Sequence, residues 1–161
     1  MGVCTFFGHQ NTPNSIRPKL KQTLEELIVK HDVSMFYVGN HGQFDALVKS
    51  VLQELKIVYP HIEYAVVLAY MPKLEQNDSS VDFTDSFLPE GIETVYPRYA
   101  ISWRNKWMLR QADYVVTYVT HSWGGAAQFE QLAKRQHKTV IKLSSDAPGA
   151  VLKPHRATEQ Y

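Results

Sequence analysis

The sequence has little cysteine, little net charge and no long apolar run, and each shortage excludes a class of protein. Cys4 is the only cysteine among 161 residues, so an internal disulfide is excluded and a reducing, cytoplasmic setting is expected. The formal net charge of +1 gives no broad attraction to nucleic acid or to an anionic membrane. The longest apolar run, Tyr64–Met71, falls far short of the about 20 residues that span a bilayer. The opening MGVCTFF has no basic segment followed by an apolar one, so we expect no signal peptide.

The familiar patterns for metals and for standard nucleotide loops are also missing. The chain has no HExxH or CxxC pattern and its seven histidines are scattered, so we expect no metal site and no cofactor. Neither GxGxxG nor GxxxxGK[ST] occurs, which excludes the standard dinucleotide fingerprint and the P-loop.

The chain instead alternates apolar strands with amphipathic helices. The predicted strands are Val3–Phe7, Met35–Val38, Tyr64–Tyr70, a less regular Glu93–Tyr96, Tyr114–Val119 and Thr139–Leu143. The predicted helices are Lys19–Lys30, Gln43–Lys56, Arg98–Gln111 and Gly125–Gln136. Several strands are continuous apolar runs, which favours a sheet covered on both faces. This order predicts parallel βαβ units in a single Rossmann-like α/β domain over residues 1–161, a three-layer sandwich with its core at about 3–143.

Two segments interrupt the alternation. Residues 72–90 are rich in acidic and small polar side chains, and we interpret them as a lid or insertion over the C-terminal edge of the sheet. Residues 144–161 begin with turn composition and end in polar residues, which predicts a frayed tail.

Three predicted strands end in glycine-bearing turns that precede helices. The residues of interest in these turns are Gly8, His9 and Gln10, then Gly39, Asn40 and Gly42, then Trp123, Gly124 and Gly125. Ligands of open parallel sheets bind beyond the carboxyl ends of the strands. The free N–H groups of the helices that follow favour an anion, most often phosphate. The alternative for any single turn is that its glycine only reverses the chain.

Four side chains near these turns each have a functional and a structural interpretation. Arg104 could pair with a phosphate through two hydrogen bonds, or form a surface ion pair. Asp45 could bind ribose hydroxyls, or simply stabilise a helix N-terminus with its charge. His9 and His41 could donate to a phosphate or act as a general acid, or could be structural.

Four stretches of sequence together carry a resemblance to a known family. They are CTFFGHQNTP, FYVGNHGQFD, RYAISWRNKWMLRQADYVVTYV and GGAAQFEQLAKRQHKTVI. Together they resemble the SLOG superfamily, the Rossmann-like group that includes the lonely-guy phosphoribohydrolases and the DNA-processing Smf/DprA proteins. The similarity is greatest to a bacterial and phage branch with GHR near its start and RN-x-x-M-x-x-x-AD later. It covers about residues 3–143.

The resemblance implies candidate catalytic residues. In lonely-guy enzymes an arginine of an R-K-x-x-M segment and a glutamate of PGGxGTxxE carry the site, and Arg104 and Glu130 are similar to these two. Gly124 and Gly125 match the paired glycines.

The chain also departs from that pattern. Trp123 replaces the proline, Ala127 and Gln128 replace the inner Gly-Thr pair, and Gln10 stands where the branch has arginine. Glu130 comes one residue early, which rotates a helical carboxylate by about 100°. These departures therefore count more against hydrolysis of a ligand than against its binding.

Three functions follow as hypotheses. The first is binding of a nucleotide-type ligand, such as ADP-ribose or an NAD-derived signal, by a sensor or sequestering protein, with Trp103 or Trp123 on the base. The second is an N-glycosidic phosphoribohydrolase of nucleoside monophosphates, in which Arg104 holds the phosphate and Glu130 stabilises the anomeric centre. The third is a DNA-processing accessory role, which the near-neutral charge disfavours. Relatives of this fold commonly pair through helices, so a homodimer is also expected.

Overall fold

A computed structural model describes residues 2–71 and 85–144. Most of the predicted lid and nearly all of the predicted tail lie outside the described residues. The strands are β1 Gly2–Gly8, β2 Val33–Val38, β3 Glu63–Val67, β4 Ser86–Phe87, β5 Tyr114–Tyr118 and β6 Thr139–Lys142. The helices are α1 Arg17–Lys30, α2 Gly42–Val58, α3 Ala100–Gln111 and α4 Gly125–Arg135.

The six strands form one all-parallel sheet in the order β4-β3-β2-β1-β5-β6. Two apolar clusters cover its two faces. One joins the sheet to α1 and α2, through residues such as Leu24, Leu52 and Phe36. The other joins it to α3 and α4, through residues such as Met108 and Phe129. The predicted Rossmann-like three-layer sandwich is therefore confirmed.

The predicted strand Glu93–Tyr96 is wrong. Gly91 takes a left-handed backbone with φ 95°, and a single 3₁₀ turn follows at Ile92–Thr94. Ile92 is the one buried residue of that turn, so the segment lacks the apolar face that a sheet strand needs. The fourth strand is instead Ser86–Phe87, a two-residue edge strand inside the segment interpreted as a lid.

The strand order places a switch point between β1 and β5. From β1 the chain proceeds outward through β2, β3 and β4, then returns through α3 to β5 on the other side of β1. Gly8 pairs with Tyr118, so the two neighbouring strands end at the same level. Connections that leave such a pair in opposite directions open a crevice at the carboxyl edge of the sheet.

Candidate functional site

A cleft of about 550 Å³ lies at this switch point. Its described lining comes from the end of β1, from the turns that follow β1, β2 and β5, and from α2, α3 and the start of α4. Gly8, His9 and Gln10 line it on one side, and Trp123, Gly124 and Gly125 line it on the other. The structure therefore brings together at the cleft the predicted turns after β1 and β5, which are separated by more than a hundred residues in the sequence. The turn after β2 adds His41.

The N-terminus of α2, in the turn after β2, is covered by the turn after β1. The backbone N–H of Gln43 donates to the carbonyl of Gln10 at 2.8 Å. A Cβ placed on Gly42 would lie 2.8 Å from the Cα of Gln10, so the two backbones are in close contact. Gly39, Asn40 and Gly42 are not among the described residues that line the cleft. The start of α2 is thus packed against the turn after β1, and its Gln43 N–H is already paired within the protein.

The N-terminus of α4 is open. Gly124, the residue before the helix, has φ 94°, a left-handed conformation that favours glycine, and no side chain caps the helix. A Cβ placed on Gly125 would have no heavy atom within 4 Å. Gly124, Gly125 and Ala126 line the cleft. The first turn of α4 therefore presents backbone N–H groups and the positive end of a helix dipole to open space.

Arg104 lies under the cleft and is 2% exposed, which rules out a surface ion pair. Its Nη1 donates to the carbonyl of Val67 at 2.8 Å and to Oδ1 of Asn40 at 3.2 Å. Its Nε donates to Oδ1 of Asn105 at 2.9 Å, and its Nη2 lies 3.4 Å from Nδ1 of His41. Since a guanidinium has five N–H groups, these contacts leave one Nη2 hydrogen for a ligand. A two-bond contact with phosphate would require Arg104 to release a protein partner.

Asp45 reaches the cleft from the first turn of α2, and its Oδ2 accepts the N–H of His41 at 2.9 Å. Burial raises the pKa of Asp45 to about 6, against the lowering effects of that N–H and of the Arg104 charge. Gly39 makes the arrangement possible, because a Cβ there would lie 2.8 Å from Oδ2 of Asp45 and 2.9 Å from Nη1 of Arg104. The carboxylate and the guanidinium thus face each other across the Gly39 backbone.

The pKa values of His41 and His9 are both lowered, which favours the neutral imidazoles. Burial and the nearby Arg104 charge lower the pKa of His41. Burial and His121 lower the pKa of His9, against the raising effect of the Glu130 charge. Nε2 of His9 accepts the N–H of Thr120 at 2.9 Å, which leaves the proton on Nδ1. In this state His9 offers a neutral hydrogen-bond donor rather than a general acid.

Glu130 is turned away from the cleft and is 4% exposed. Oγ1 of Thr117 on β5 donates to its Oε2 at 2.5 Å. The ammonium groups of Lys134 and Lys142 lie 3.8 and 3.7 Å from its Oε1. These contacts tie α4 to β5 and β6. Glu130 is therefore placed as a structural carboxylate, and it does not meet Arg104 in the cleft lining.

The three tryptophans have separate environments. Trp107 packs edge-on against Tyr37 and Phe87 in the core. Trp103 packs against a small buried cluster around Ile92. Trp123 lines the cleft and is 70% exposed. Trp103 and Trp107 therefore pack against the protein interior, and Trp123 is the tryptophan that a ligand in the cleft can reach.

Sequence reasoning missed several residues of the cleft. His121 stacks on Trp123, and only its place just before the Trp-Gly-Gly turn could have indicated it. Ile101 and Met108 line the cleft on either side of Arg104 and form an apolar wall. These two precede and follow Arg104 by three and four residues on α3, so helical spacing could have found them.

In the part of the chain that the structure describes, no group of three or more His, Cys, Asp or Glu side chains could hold a metal ion. None of the described helices has the length and apolar composition needed to cross a membrane. No protein-family model matches this chain, and no curated protein is significantly similar to it in sequence.

Proposed function

We propose that the cleft binds a small nucleotide-type ligand, with a phosphate at the N-terminus of α4, and that the chain acts as a sensor or sequestering protein. The observation that carries the proposal is the open α4 N-terminus, which shares one cleft with the buried guanidinium of Arg104. Both groups attract an anion, and they lie at the switch point where ligands of open α/β sheets bind.

The size and chemistry of the cleft fit such a ligand. Small-molecule sites usually occupy about 300–1,000 Å³, and this cleft is about 550 Å³. Phe6, Ile101 and Met108 supply an apolar wall, while Asp45 supplies a carboxylate that can accept hydrogen bonds from sugar hydroxyls. ADP-ribose and other NAD-derived molecules combine phosphate, sugar and an aromatic base, and they remain the ligand class that we propose.

Membership of the SLOG superfamily is part of this proposal. The strand order and the open paired glycines at the start of α4 support it. The hydrolase alternative has less support, since Thr117 and two lysines already occupy the Glu130 carboxylate outside the cleft. The DNA-linked alternative has no support beyond the resemblance. The homodimer stays a prediction.

A charge placed at Gly125 tests the phosphate site directly. A Cβ there would point into free space, and an aspartate at the first position of a helix is favourable to the helix dipole, so Gly125→Asp should fold. The same carboxylate would repel a phosphate. Gly125→Asn is the matched control, because it has nearly the same shape without the charge.

The measurement is a thermal-shift titration with ADP-ribose, AMP and adenosine. A ligand at 100 times its dissociation constant should stabilise the wild type by about 2.7 kcal/mol. We expect the phosphorylated ligands to bind at least about 10-fold more weakly to Gly125→Asp than to Gly125→Asn. If the phosphorylated ligands bind Gly125→Asp and Gly125→Asn with equal affinity, the phosphate does not lie at the N-terminus of α4. If no phosphorylated nucleoside shifts the wild type, the proposed function is wrong.

A further inference from the structure

Three aromatic side chains form a continuous stack along one wall of the cleft. The rings of His9 and His121 lie 3.8 Å apart at 16°, and those of His121 and Trp123 lie 3.7 Å apart at 17°. The stack begins in the turn after β1 and ends in the turn before α4, so it joins the two sides of the cleft. We name these three residues the ring stack.

The inner end of the ring stack is fixed by protein contacts. His9 accepts the Thr120 N–H, and its ring packs edge-on against Tyr118 at 6.3 Å. The outer end is different. One face of the Trp123 indole is covered by His121, and the residue is 70% exposed. The stack therefore ends on a free aromatic face beside the open N-terminus of α4.

The middle ring, His121, is stacked between the other two rings. Nδ1 of His121 is buried and has no hydrogen-bond partner among the described residues. Such an atom is normally satisfied, because burying an unpaired polar group is costly. An apolar ring would fill this place without that cost. His121 keeps its position through the two ring contacts, and its effect is to hold the indole at a fixed distance from His9.

We propose that the ring stack is the platform for the aromatic base of the ligand, with the base added as a fourth ring on the free face of Trp123. The inference rests on the proposed function, since it assigns the base end of the same ligand whose phosphate lies at α4. An indole stacks on any base and gains most from the larger rings, so purine compounds should bind more tightly than pyrimidine compounds.

The experiment compares AMP with ribose 5-phosphate, which lacks only the base, in wild-type protein and in three variants. The readouts are the dissociation constants and the quenching of tryptophan fluorescence, which comparison of the variants assigns to Trp123. Trp123→Ala removes the platform, and we expect AMP to bind about 10- to 100-fold more weakly while ribose 5-phosphate is unchanged. His121→Phe keeps a ring in the middle of the stack, so AMP should bind with wild-type affinity and the protein should be at least as stable. Trp103→Phe, outside the cleft, should keep both the affinity and the quenching.

Each outcome decides between the two proposals. If AMP and ribose 5-phosphate bind the wild type equally, or if Trp123→Ala leaves AMP binding unchanged, the ring stack is not the base site and the phosphate site stands. If His121→Phe abolishes AMP binding, the middle ring contacts the ligand and the spacer role is overturned. If neither compound binds at millimolar concentration, the proposed function fails together with this inference.

Discussion

The turn after β2 and the turn after β5 both bring glycines to the same edge of the sheet, but only the second leaves its helix N-terminus open. In the first, the backbone of Gln10 lies against Gly42, and Asp45 and Arg104 enclose Gly39. In the second, Gly125 has open space around it. The same local signal therefore has two uses. A glycine can admit neighbouring parts of the protein, or it can admit a ligand.

The comparison also separates two kinds of charge. At the β2–α2 turn the charged groups face each other, and burial shifts the pKa of Asp45 upward. At the β5–α4 turn the positive charge is the partial charge of the helix, and no side chain caps it. The first turn is an internal polar network that shapes the cleft floor, and the second is the place where an external anion fits.

The largest expected effect comes from removing the buried cation beneath the closed turn. Arg104→Met leaves the carbonyl of Val67 without its donor, and we expect the free energy of unfolding to fall by about 3 kcal/mol. Loss of the cation should also raise the pKa of Asp45 further above about 6. Urea denaturation and a carboxyl titration by NMR measure the two effects. Arg110→Met, on the exposed side of the same helix, is the control and should cost within about 0.5 kcal/mol. Equal losses in both variants would contradict the role given to Arg104.

The second prediction makes the same substitution, glycine to alanine, in each of the two turns. Gly39→Ala places a Cβ 2.8 Å from Asp45 and 2.9 Å from Arg104, and we expect a loss of about 2 kcal/mol as these groups move apart. Gly125→Ala meets no atom within 4 Å and should be neutral, or stabilising by up to about 1 kcal/mol. Urea denaturation of the two variants and the wild type measures both changes in the free energy of unfolding, as shifts of the midpoint at equal m-values. Similar costs at the two positions would erase the distinction between a closed and an open turn.

The last effect is a pH dependence at the closed turn, and it vanishes at low pH. The pKa of Asp45 is higher in the folded protein than the ordinary 3.8, so the folded state binds the proton more tightly. This residue therefore favours folding at low pH, and that contribution is lost as pH rises from about 4 through about 6. Asp45→Asn should raise stability by up to about 3 kcal/mol at pH 7.5 and give almost no gain at pH 3.5. The amide oxygen can still accept the His41 N–H.

Thermal denaturation of wild type and Asp45→Asn across that pH range provides the check. The lowered pKa values of His9 and His41 act in the opposite sense, because both must gain a proton as pH falls below about 6.5. They are present in both proteins and cancel in the difference. A constant stability difference at all pH values would mean that Asp45 does not titrate as described.

The fold was largely readable because its signals are local and repeated. Continuous apolar runs such as Tyr114–Tyr118 and the amphipathic pattern of α2 each indicate their own element. The Glu93–Tyr96 segment failed because a short run of β-prone residues does not reveal whether it has a neighbour to pair with. Ser86–Phe87 was missed for the converse reason, since two residues carry no periodicity and the strand exists only through its pairing with β3.

The candidate site was readable only in part. Gly8, Gly124 and Gly125 were predicted because a strand followed by glycine and a helix fixes where the chain turns. The positions of Glu130 and His121 were not readable in the same way. The direction of a helical side chain and the stacking of rings separated by 112 residues depend on how α4 sits on the sheet.

The sequence by itself determined a parallel α/β sandwich with glycine turns at one sheet edge, because hydrophobic periodicity and backbone freedom are properties of short segments. Only the tertiary structure decided which turn is closed and which is open, and where the charges of Arg104, Asp45 and Glu130 point. Those outcomes depend on van der Waals contact and on the loss of water around polar groups, and both arise only when distant parts of the chain are packed together.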